Sequence, residues 1–141
     1  MVRTFIAVAA LASIAGSVGA QAQDAKAGEE VFKKCRACHQ VGPTARNGVG
    51  PAQNGVVGRT AGTVAGYNYS PLNKAAGAAG LVWSEENILA YLADPNVFLK
   101  KFLTDKGKAA EISGNTKMVF KLPDETERRN VIAYLKTIPG T

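Results

Sequence analysis

Apolar residues recur at helical spacing near the start of the sequence, behind a residue that can cap a helix. Asp24 precedes the pattern, and its carboxylate can accept hydrogen bonds from the free N–H groups of a first turn. The apolar face of the pattern consists of Ala27, Val31, Phe32 and Cys35. This spacing predicts a first amphipathic helix over residues 25–37.

Pro95 separates two further predicted helices. The first covers residues 85–94, with Ser84 as its cap and with Trp83 and Ile88 placed to pack across its start. Pro95 ends this helix because the residue before a proline avoids the α region, and it can open the next helix at its first position. The inner face of that next helix consists of Phe98, Leu99, Phe102 and Leu103.

The last predicted helix covers residues 125–138 and is stopped by Pro139. Asp124 and Glu127 resemble a capping pair at its start. Its apolar stripe consists of Val131, Ile132, Leu135 and Ile138.

Residues 42–80 fit neither a helical nor a strand period. They hold nine of the fifteen glycines and three of the six prolines of the sequence. A structureless loop of this length is uncommon inside a small domain. Because single helices flank it, it is not a linker between domains. We therefore expect it to wrap a group that is not protein, with glycines permitting close approach of the backbone.

The first twenty residues have the features of a secretory signal. Arg3 supplies a positive start, residues 5–15 are almost entirely apolar, and small residues precede Ala20. An ordinary N-terminal helix is the alternative, but the segment has no acidic residue and no amphipathic period. We predict cleavage after Ala20, with Ala22 as the second choice, and export to the periplasm.

Composition and charge restrict the function further. The 141 residues are 46% hydrophobic and 20% charged, as in a balanced globular chain. We expect one domain over residues 21–141, and no apolar run reaches the ~18 residues that span a bilayer. The formal net charge is +6, and removal of Arg3 leaves 16 − 11 = +5. Export argues against a nucleic-acid partner, and no basic amphipathic helix suggests a membrane surface.

The chemistry is concentrated in the run Cys35-Arg36-Ala37-Cys38-His39, a C-x-x-C-H sequence typical of c-type haem attachment. Two thiols at this spacing can each form a thioether with one vinyl group of a porphyrin, and the next residue then supplies the proximal imidazole. A redox-active disulfide, a zinc site and a structural disulfide are the alternatives. A redox-active disulfide is disfavoured because no βαβ pattern accompanies the cysteines. A zinc site is disfavoured because zinc needs four ligands and this run offers three. A structural disulfide here would close a very small loop and contribute little stability.

The second axial position has one thioether candidate after removal of the signal. His39 is the only histidine, and Met118 is the only methionine apart from Met1. A methionine is more often a core residue than a ligand, but the polar approach to Met118 favours a ligand here. Lys117 is its competitor at high pH. The opposing hypothesis is a peroxidase-like or gas-binding protein with an open sixth position.

With these residues in place, the sequence resembles class I cytochromes c, especially the bacterial cytochrome c2 group. The resemblance covers residues 24–138 and implies an all-α, single-domain cytochrome c fold, with helices and long loops around one covalently bound haem c. It implies that Gly28 and Phe32 contact the last helix at Tyr134 and Leu135. The interval from Pro95 to Met118 is 23 residues and resembles the longer family variants.

The same resemblance implies roles for residues around the haem. The carbonyl of Pro51 accepts a hydrogen bond from His39, which strengthens the imidazole as a ligand. Residues expected near the haem propionates are Arg59, Tyr69 and Trp83. Residues expected in an internal polar group near Met118 are Asn73, Tyr91 and Thr116.

The implied function is a one-electron carrier rather than an enzyme. The donor would be a cytochrome bc1-type complex, and the acceptor a photosynthetic reaction centre or a terminal oxidase. We expect a monomer that docks through a basic face, although scattered solubilising charge is the alternative. The residues of this face are Lys33, Lys34, Arg36, Lys74, Lys100, Lys101 and Lys117.

Overall fold

The structure is a computed structural model that describes residues 23–140, so the predicted signal over 1–20 lies outside it. Its helices are α1 Ala25–Phe32, α2 Pro71–Ala78, α3 Glu85–Ala93, α4 Pro95–Asp105, a 3₁₀ helix Ala109–Glu111, and α5 Glu125–Lys136. Over the described residues the extended structure amounts to one isolated bridge between Thr60 and Val82. The predicted all-α class is confirmed. Within residues 23–140, no helix combines the length and apolarity needed to cross a membrane.

Helix α1 is shorter than predicted, because the chain tightens after Phe32. Asp24 caps it as expected, accepting from the N–H groups of Lys26 at 2.8 Å and Ala27 at 3.1 Å. From Lys33 to Cys35 each N–H donates to the carbonyl three residues earlier, which replaces the α-helical pattern. Cys35 therefore lies in a turn beyond the helix, and the prediction of a helix to residue 37 is wrong.

The glycine-rich segment contains a helix that the sequence analysis missed. Helix α2 begins at Pro71, and the Ser70 hydroxyl accepts a hydrogen bond from the N–H of Asn73 at 3.2 Å. Its buried side chains are Leu72, Asn73 and Ala76. This narrow, partly polar stripe is too weak to reveal a helix by periodicity, although a serine before a proline is a recognised helix start.

Asp94 divides α3 from α4. Its backbone is extended, with φ −158° and ψ 100°, so α3 ends one residue earlier than predicted. The same residue caps α4, because its side chain accepts from the N–H of Val97 at 3.1 Å. Pro95 occupies the first position of α4 as predicted. Helix α4 and the 3₁₀ helix occupy most of the long interval before Met118.

Helices α1 and α5 cross in close contact, which confirms the predicted pairing. The rings of Phe32 and Tyr134 have centroids 5.5 Å apart. Gly28 is buried against α5, where any side chain would overlap the backbone of Asn130. Helix α5 ends at Lys136, two residues short of the prediction, because the next two N–H groups donate to carbonyls three residues earlier.

The buried core contains residues from all five α-helices. Its largest fully buried side chains include Phe32, Leu72, Leu81, Leu99, Leu103 and Ile132. Cys35 and Met118 lie on two separate loops and pack, partly buried, against this core. The core therefore fixes those loops relative to one another.

Candidate cofactor site

A cavity of about 330 Å³ opens between the helices and the glycine-rich segment. All eleven site residues predicted from the sequence line it, although they are spread along the chain from residue 35 to residue 118. They are Cys35, Cys38, His39, Pro51, Arg59, Tyr69, Asn73, Trp83, Tyr91, Thr116 and Met118. The walls are mainly apolar with a few polar groups, as is typical of a cofactor site. The roles assigned to these residues remain predictions.

Cys35 and Cys38 face this cavity as free thiols. The N–H groups of Cys38 and His39 both donate to the carbonyl of Cys35, at 3.0 Å and 2.9 Å. This turn presents both sulfur atoms and the imidazole to one space. Burial raises the pKa of the Cys35 thiol, while Lys34 opposes that shift. Burial therefore favours the neutral form of this thiol.

The imidazole of His39 is held by the loop that contains Pro51. Its Nδ1 atom lies 2.8 Å from the Pro51 carbonyl oxygen. The loop is attached on both sides of His39, by Gly50 N–H to the Cys38 carbonyl and by Gln53 N–H to the Gln40 carbonyl, each at 2.9 Å. Burial lowers the pKa of His39, with Pro51 opposing, so the neutral ring is favoured. A neutral ring with its proton on Nδ1 leaves Nε2 free for a metal.

Position 50 must be a glycine because the His39 ring lies against its backbone. A Cβ atom at Gly50 would lie 2.3 Å from Cε1 and 2.9 Å from Nε2 of His39. The glycine therefore leaves the space in which the ring stands.

The segment that carries Met118 is fixed by polar contacts. Thr116 is buried, and its N–H donates to Asn96 Oδ1 at 2.9 Å. The Thr116 hydroxyl accepts a longer hydrogen bond from the Met118 N–H at 3.4 Å. The ammonium of Lys117 donates to the carbonyl of Asn68 and lies 5.5 Å from the centre of the Tyr67 ring. These contacts anchor the segment at Thr116, at Lys117 and at Met118 itself.

A polar group lies at the inner wall of the cavity. Burial raises the pKa of Tyr91 to about 12, and a hydrogen bond with Thr116 partly opposes the shift. Tyr91 therefore remains a neutral hydroxyl at physiological pH. Asn73 Oδ1 is buried without a hydrogen-bond partner. A buried acceptor without a partner is costly, so it indicates a group or a water that completes the site.

Arg59 and Tyr69 line another part of the wall. The Arg59 guanidinium donates to the Asn54 carbonyl at 2.8 Å, and the Tyr69 hydroxyl accepts from the Val64 N–H at 3.3 Å. Burial lowers the pKa of Arg59 and raises that of Tyr69, and in both the electrostatic interaction between the two opposes the shift. The arginine retains its charge and places a fixed cation on the wall.

Trp83 closes the cavity against the helices. It is buried, and its ring lies 4.7 Å from the Tyr91 ring, edge to face. Phe98 of α4 stacks behind it, with centroids 6.4 Å apart. This aromatic wall gives the cavity a rigid apolar side.

The basic residues predicted for a docking face divide into two groups. Lys34 and Lys117 line the cavity. Lys33 and Lys101 form exposed ion pairs with nearby acids on their own segments, and Lys100 donates to Asn115. The cavity lining does not include Arg36 or Lys74. Only two of the seven residues are therefore part of the cavity itself.

Several lining residues were missed by sequence reasoning. Among them are Gln53, Tyr67 and Ser70. Gln53 lies two residues after Pro51, and Tyr67 two residues before Tyr69, so proximity to predicted site residues was the available signal. Val119 and Phe120 follow Met118 and are exposed at 81% and 40%, which places apolar side chains at the cavity rim.

The donor set fits a haem rather than a closed metal site. Two thiols, one imidazole and one thioether share the cavity lining, which matches two thioether attachments and two axial ligands. The apolar wall suits a porphyrin face, and the cation of Arg59 suits its carboxylates.

Comparison with known proteins identifies the family. No family model matches the chain. Cytochrome c2 iso-2 of Rhodospirillum centenum is 65% identical over 113 residues, covering 80% of this chain and 93% of that protein. Cytochrome c2 of Rhodopseudomonas palustris is 57% identical over 141 residues, covering 98% of this chain and 99% of that protein.

Solved structures agree with these relatives. The structure of cytochrome c2 from Rhodospirillum centenum superposes with a TM-score of 0.81 at 63% identity, covering 82% of this chain and 98% of that one. The resemblance drawn from the cysteine motif and the helix pattern is thereby confirmed, together with the fold. The chain belongs to the cytochrome c2 family, whose members are electron carriers with a covalently bound haem c rather than enzymes.

Proposed function

We propose that the chain is a periplasmic one-electron carrier that holds one haem c through Cys35 and Cys38, with His39 and Met118 as axial ligands. The observation that carries this proposal is the position of His39. Its Nδ1 atom is engaged with the Pro51 carbonyl at 2.8 Å, in a cavity also lined by both cysteines and Met118. The nitrogen left over, Nε2, is the one that a metal requires.

The bound haem supplies an iron that accepts and releases one electron. His39 contributes an imidazole whose tautomer and orientation are fixed by Pro51, which strengthens it as a donor. Met118 contributes a soft thioether, which favours ferrous iron and raises the reduction potential. Cys35 and Cys38 keep the ring attached whatever the oxidation state.

With haem bound, His39 and Met118 would both ligate the iron, which accounts for a carrier rather than a catalyst. An open position is needed for a peroxide or a gas to bind the metal, and Met118 would occupy it. The anchoring of residues 116–118 by Asn96 and Asn68 holds that ligand in place. Little rearrangement then accompanies electron transfer.

The surrounding polar residues complete the proposed site. Arg59, Tyr69 and Trp83 are assigned to the haem propionates. Asn73, Tyr91 and Thr116 form the polar group beside the methionine, where the unpartnered Asn73 oxygen supports a further hydrogen-bonded atom.

The proposed route starts at a cytochrome bc1-type complex and ends at a photosynthetic reaction centre or a terminal oxidase. Residues 1–20 act as the export signal, and residues 21–141 form the mature, monomeric domain. Lys34 and Lys117 on the cavity lining are the centre of a basic docking face. Such a face speeds encounter with an acidic partner and weakens with salt.

A pyridine haemochrome assay on periplasmically matured protein tests the proposal. We expect one haem per chain with both vinyl groups consumed, and loss of one attachment in Cys35→Ser. A colourless protein with two titratable thiols would instead support a thiol oxidoreductase. A high-spin ferric spectrum at neutral pH would support the peroxidase-like alternative.

A further inference from the structure

Gln53 lies against the proposed iron ligand, although no sequence motif pointed to it. Its Nε2 atom is 2.9 Å from Nδ1 of His39 and 3.1 Å from the carbonyl oxygen of Pro51. That oxygen is itself 2.8 Å from Nδ1. The three atoms form a compact triangle on the side of the imidazole that faces away from Nε2.

The orientation of the Gln53 amide follows from its neighbours. With Nε2 towards Pro51, an N–H group donates to the carbonyl oxygen. The reversed amide would place two acceptor oxygens about 3.1 Å apart with no proton between them. In the orientation seen, the 2.9 Å approach of Gln53 Nε2 to a protonated Nδ1 brings two N–H groups together and is not a hydrogen bond. A metal on Nε2 of His39 also requires the ring proton to be on Nδ1, where it donates to Pro51. The carbonyl of Pro51 therefore accepts two hydrogen bonds, one from each side chain.

The backbone fixes Gln53 in this place. Its N–H donates to the carbonyl of Gln40 at 2.9 Å, and its own carbonyl accepts from the N–H of Val56 at 3.1 Å. Since Gln40 directly follows His39, the glutamine is tied to the segment that carries the ligand. Its side chain is half-buried and lines the cavity.

We propose that Gln53 is a positioning residue that weakens His39 as an electron donor and thereby raises the reduction potential of the iron it binds. The inference rests on the proposed function, because it acts through His39 as an iron ligand. The amide of Gln53 engages the same oxygen as the ring, so that oxygen is a poorer acceptor for the Nδ1 proton.

Two effects act in the same direction. A weaker hydrogen bond to Pro51 leaves less negative charge on the imidazole, and the ligand then stabilises ferric iron less. The amide N–H also directs the positive end of its dipole towards the ring, which disfavours the more positive oxidation state. Both effects favour ferrous iron.

Two variants of Gln53 test the proposal on the haem-loaded protein. Gln53→Leu removes the amide with little change in size, and Gln53→Glu replaces it with a group that accepts from the Nδ1 proton. We measure the equilibrium constant for electron exchange with a reference redox couple. In Gln53→Leu this constant should shift towards the ferric form by about two- to fivefold. The shift is larger in Gln53→Glu. The His39 Nδ1 proton resonance of the ferrous form moves downfield in Gln53→Leu, because its bond to Pro51 strengthens.

Gln40→Leu is the matched control. Gln40 is also a glutamine next to His39, but it is exposed and its amide oxygen accepts from the Arg46 N–H at 3.0 Å. The reduction potential and the His39 Nδ1 proton resonance of Gln40→Leu should equal those of the wild type. If Gln53→Leu yields too little protein, the Gln53→Glu shift decides.

The outcomes separate the two proposals. Absence of covalent haem in the wild type would overturn the proposed function. Covalent haem with an unchanged or higher potential in Gln53→Leu, or in Gln53→Glu, would overturn the role of Gln53 alone.

Discussion

Gly28 of α1 lies directly on the backbone of Asn130 in α5. A Cβ atom at Gly28 would be 1.9 Å from the Asn130 carbonyl oxygen and 2.9 Å from Cβ of Tyr134. The two helices therefore meet at backbone distance, and this contact brings the segment before Cys35 against the core. A side chain here would force the helices apart, because neither backbone can yield locally.

We predict that Gly28→Ala lowers the free energy of unfolding by about 3 kcal/mol, despite a gain of about 1 kcal/mol in helix propensity. Chemical denaturation of the haem-loaded protein measures this change. Glu29→Ala is the control, since Glu29 is exposed on the same helix and its loss should change stability by less than ~0.5 kcal/mol. Equal stability of Gly28→Ala and the wild type would contradict the tight crossing.

Gly50→Ala is expected to disturb the proposed ligand directly. Its Cβ would overlap Cε1 of His39 at 2.3 Å, so the ring must turn or the loop must move. We predict a lower yield of haem-loaded protein and a loss of the low-spin spectrum, measured by absorption after periplasmic maturation. Gly48→Ala should behave as wild type, because its nearest contact would be the Cys38 carbonyl at an ordinary 3.6 Å. A normal spectrum and yield in Gly50→Ala would refute this use of the glycine.

The stability of the α3–α4 junction should depend on acid. The hydrogen bond from Lys121 is the main cause that lowers the pKa of Asp94 below 3.8, and the Val97 N–H adds to it. A folded pKa below the unfolded one means that the carboxylate stabilises the fold above pH ~4 and loses this effect as the pH falls through the folded pKa. The unfolding free energy, followed from neutral pH to strong acid, should fall less in Asp94→Asn, which keeps a capping oxygen. If the unfolding free energies of the wild type and Asp94→Asn fell in parallel with pH, the Asp94 carboxylate would make no contribution to the acid dependence.

The docking hypothesis is tested by two variants with the same change in charge. Lys34 pairs with Glu127 at 2.6 Å and lines the cavity, whereas Lys101 pairs with Asp105 at 2.7 Å away from the cavity lining. We predict that Lys34→Gln slows reduction by a cytochrome bc1-type complex about twofold or more at low salt, and Lys101→Gln much less. Added salt should remove the difference. Equal rates for the two variants would show that net charge, and not the cavity rim, matters.

The parts of the fold set by local chemistry could be predicted from the sequence. Asp24, Ser84 and Asp124 cap their helices as expected, because a cap depends only on the neighbouring residues. Helix α2 was missed, since its buried stripe contains one large apolar residue, Leu72, and is stabilised by the rest of the fold. Tertiary packing outweighs propensity there.

The site divides in the same way. The cysteines and His39 were found by spacing, and Met118 by its scarcity. The contact of His39 with Pro51 was expected from family resemblance. The contact of Gln53 with His39 was missed, because it forms only after two loops pair through Gln40. A glutamine carries no periodic or motif signal of such a pairing.

The axial ligation of the iron is the claim on which the carrier function depends. The weak long-wavelength absorption of ferric protein, which arises from sulfur bound to iron, measures it directly. We predict that the wild type shows this band at neutral pH, and that Met118→Leu loses it while the covalent haem remains. A wild type without the band, or a Met118→Leu protein that retains it, would contradict the account.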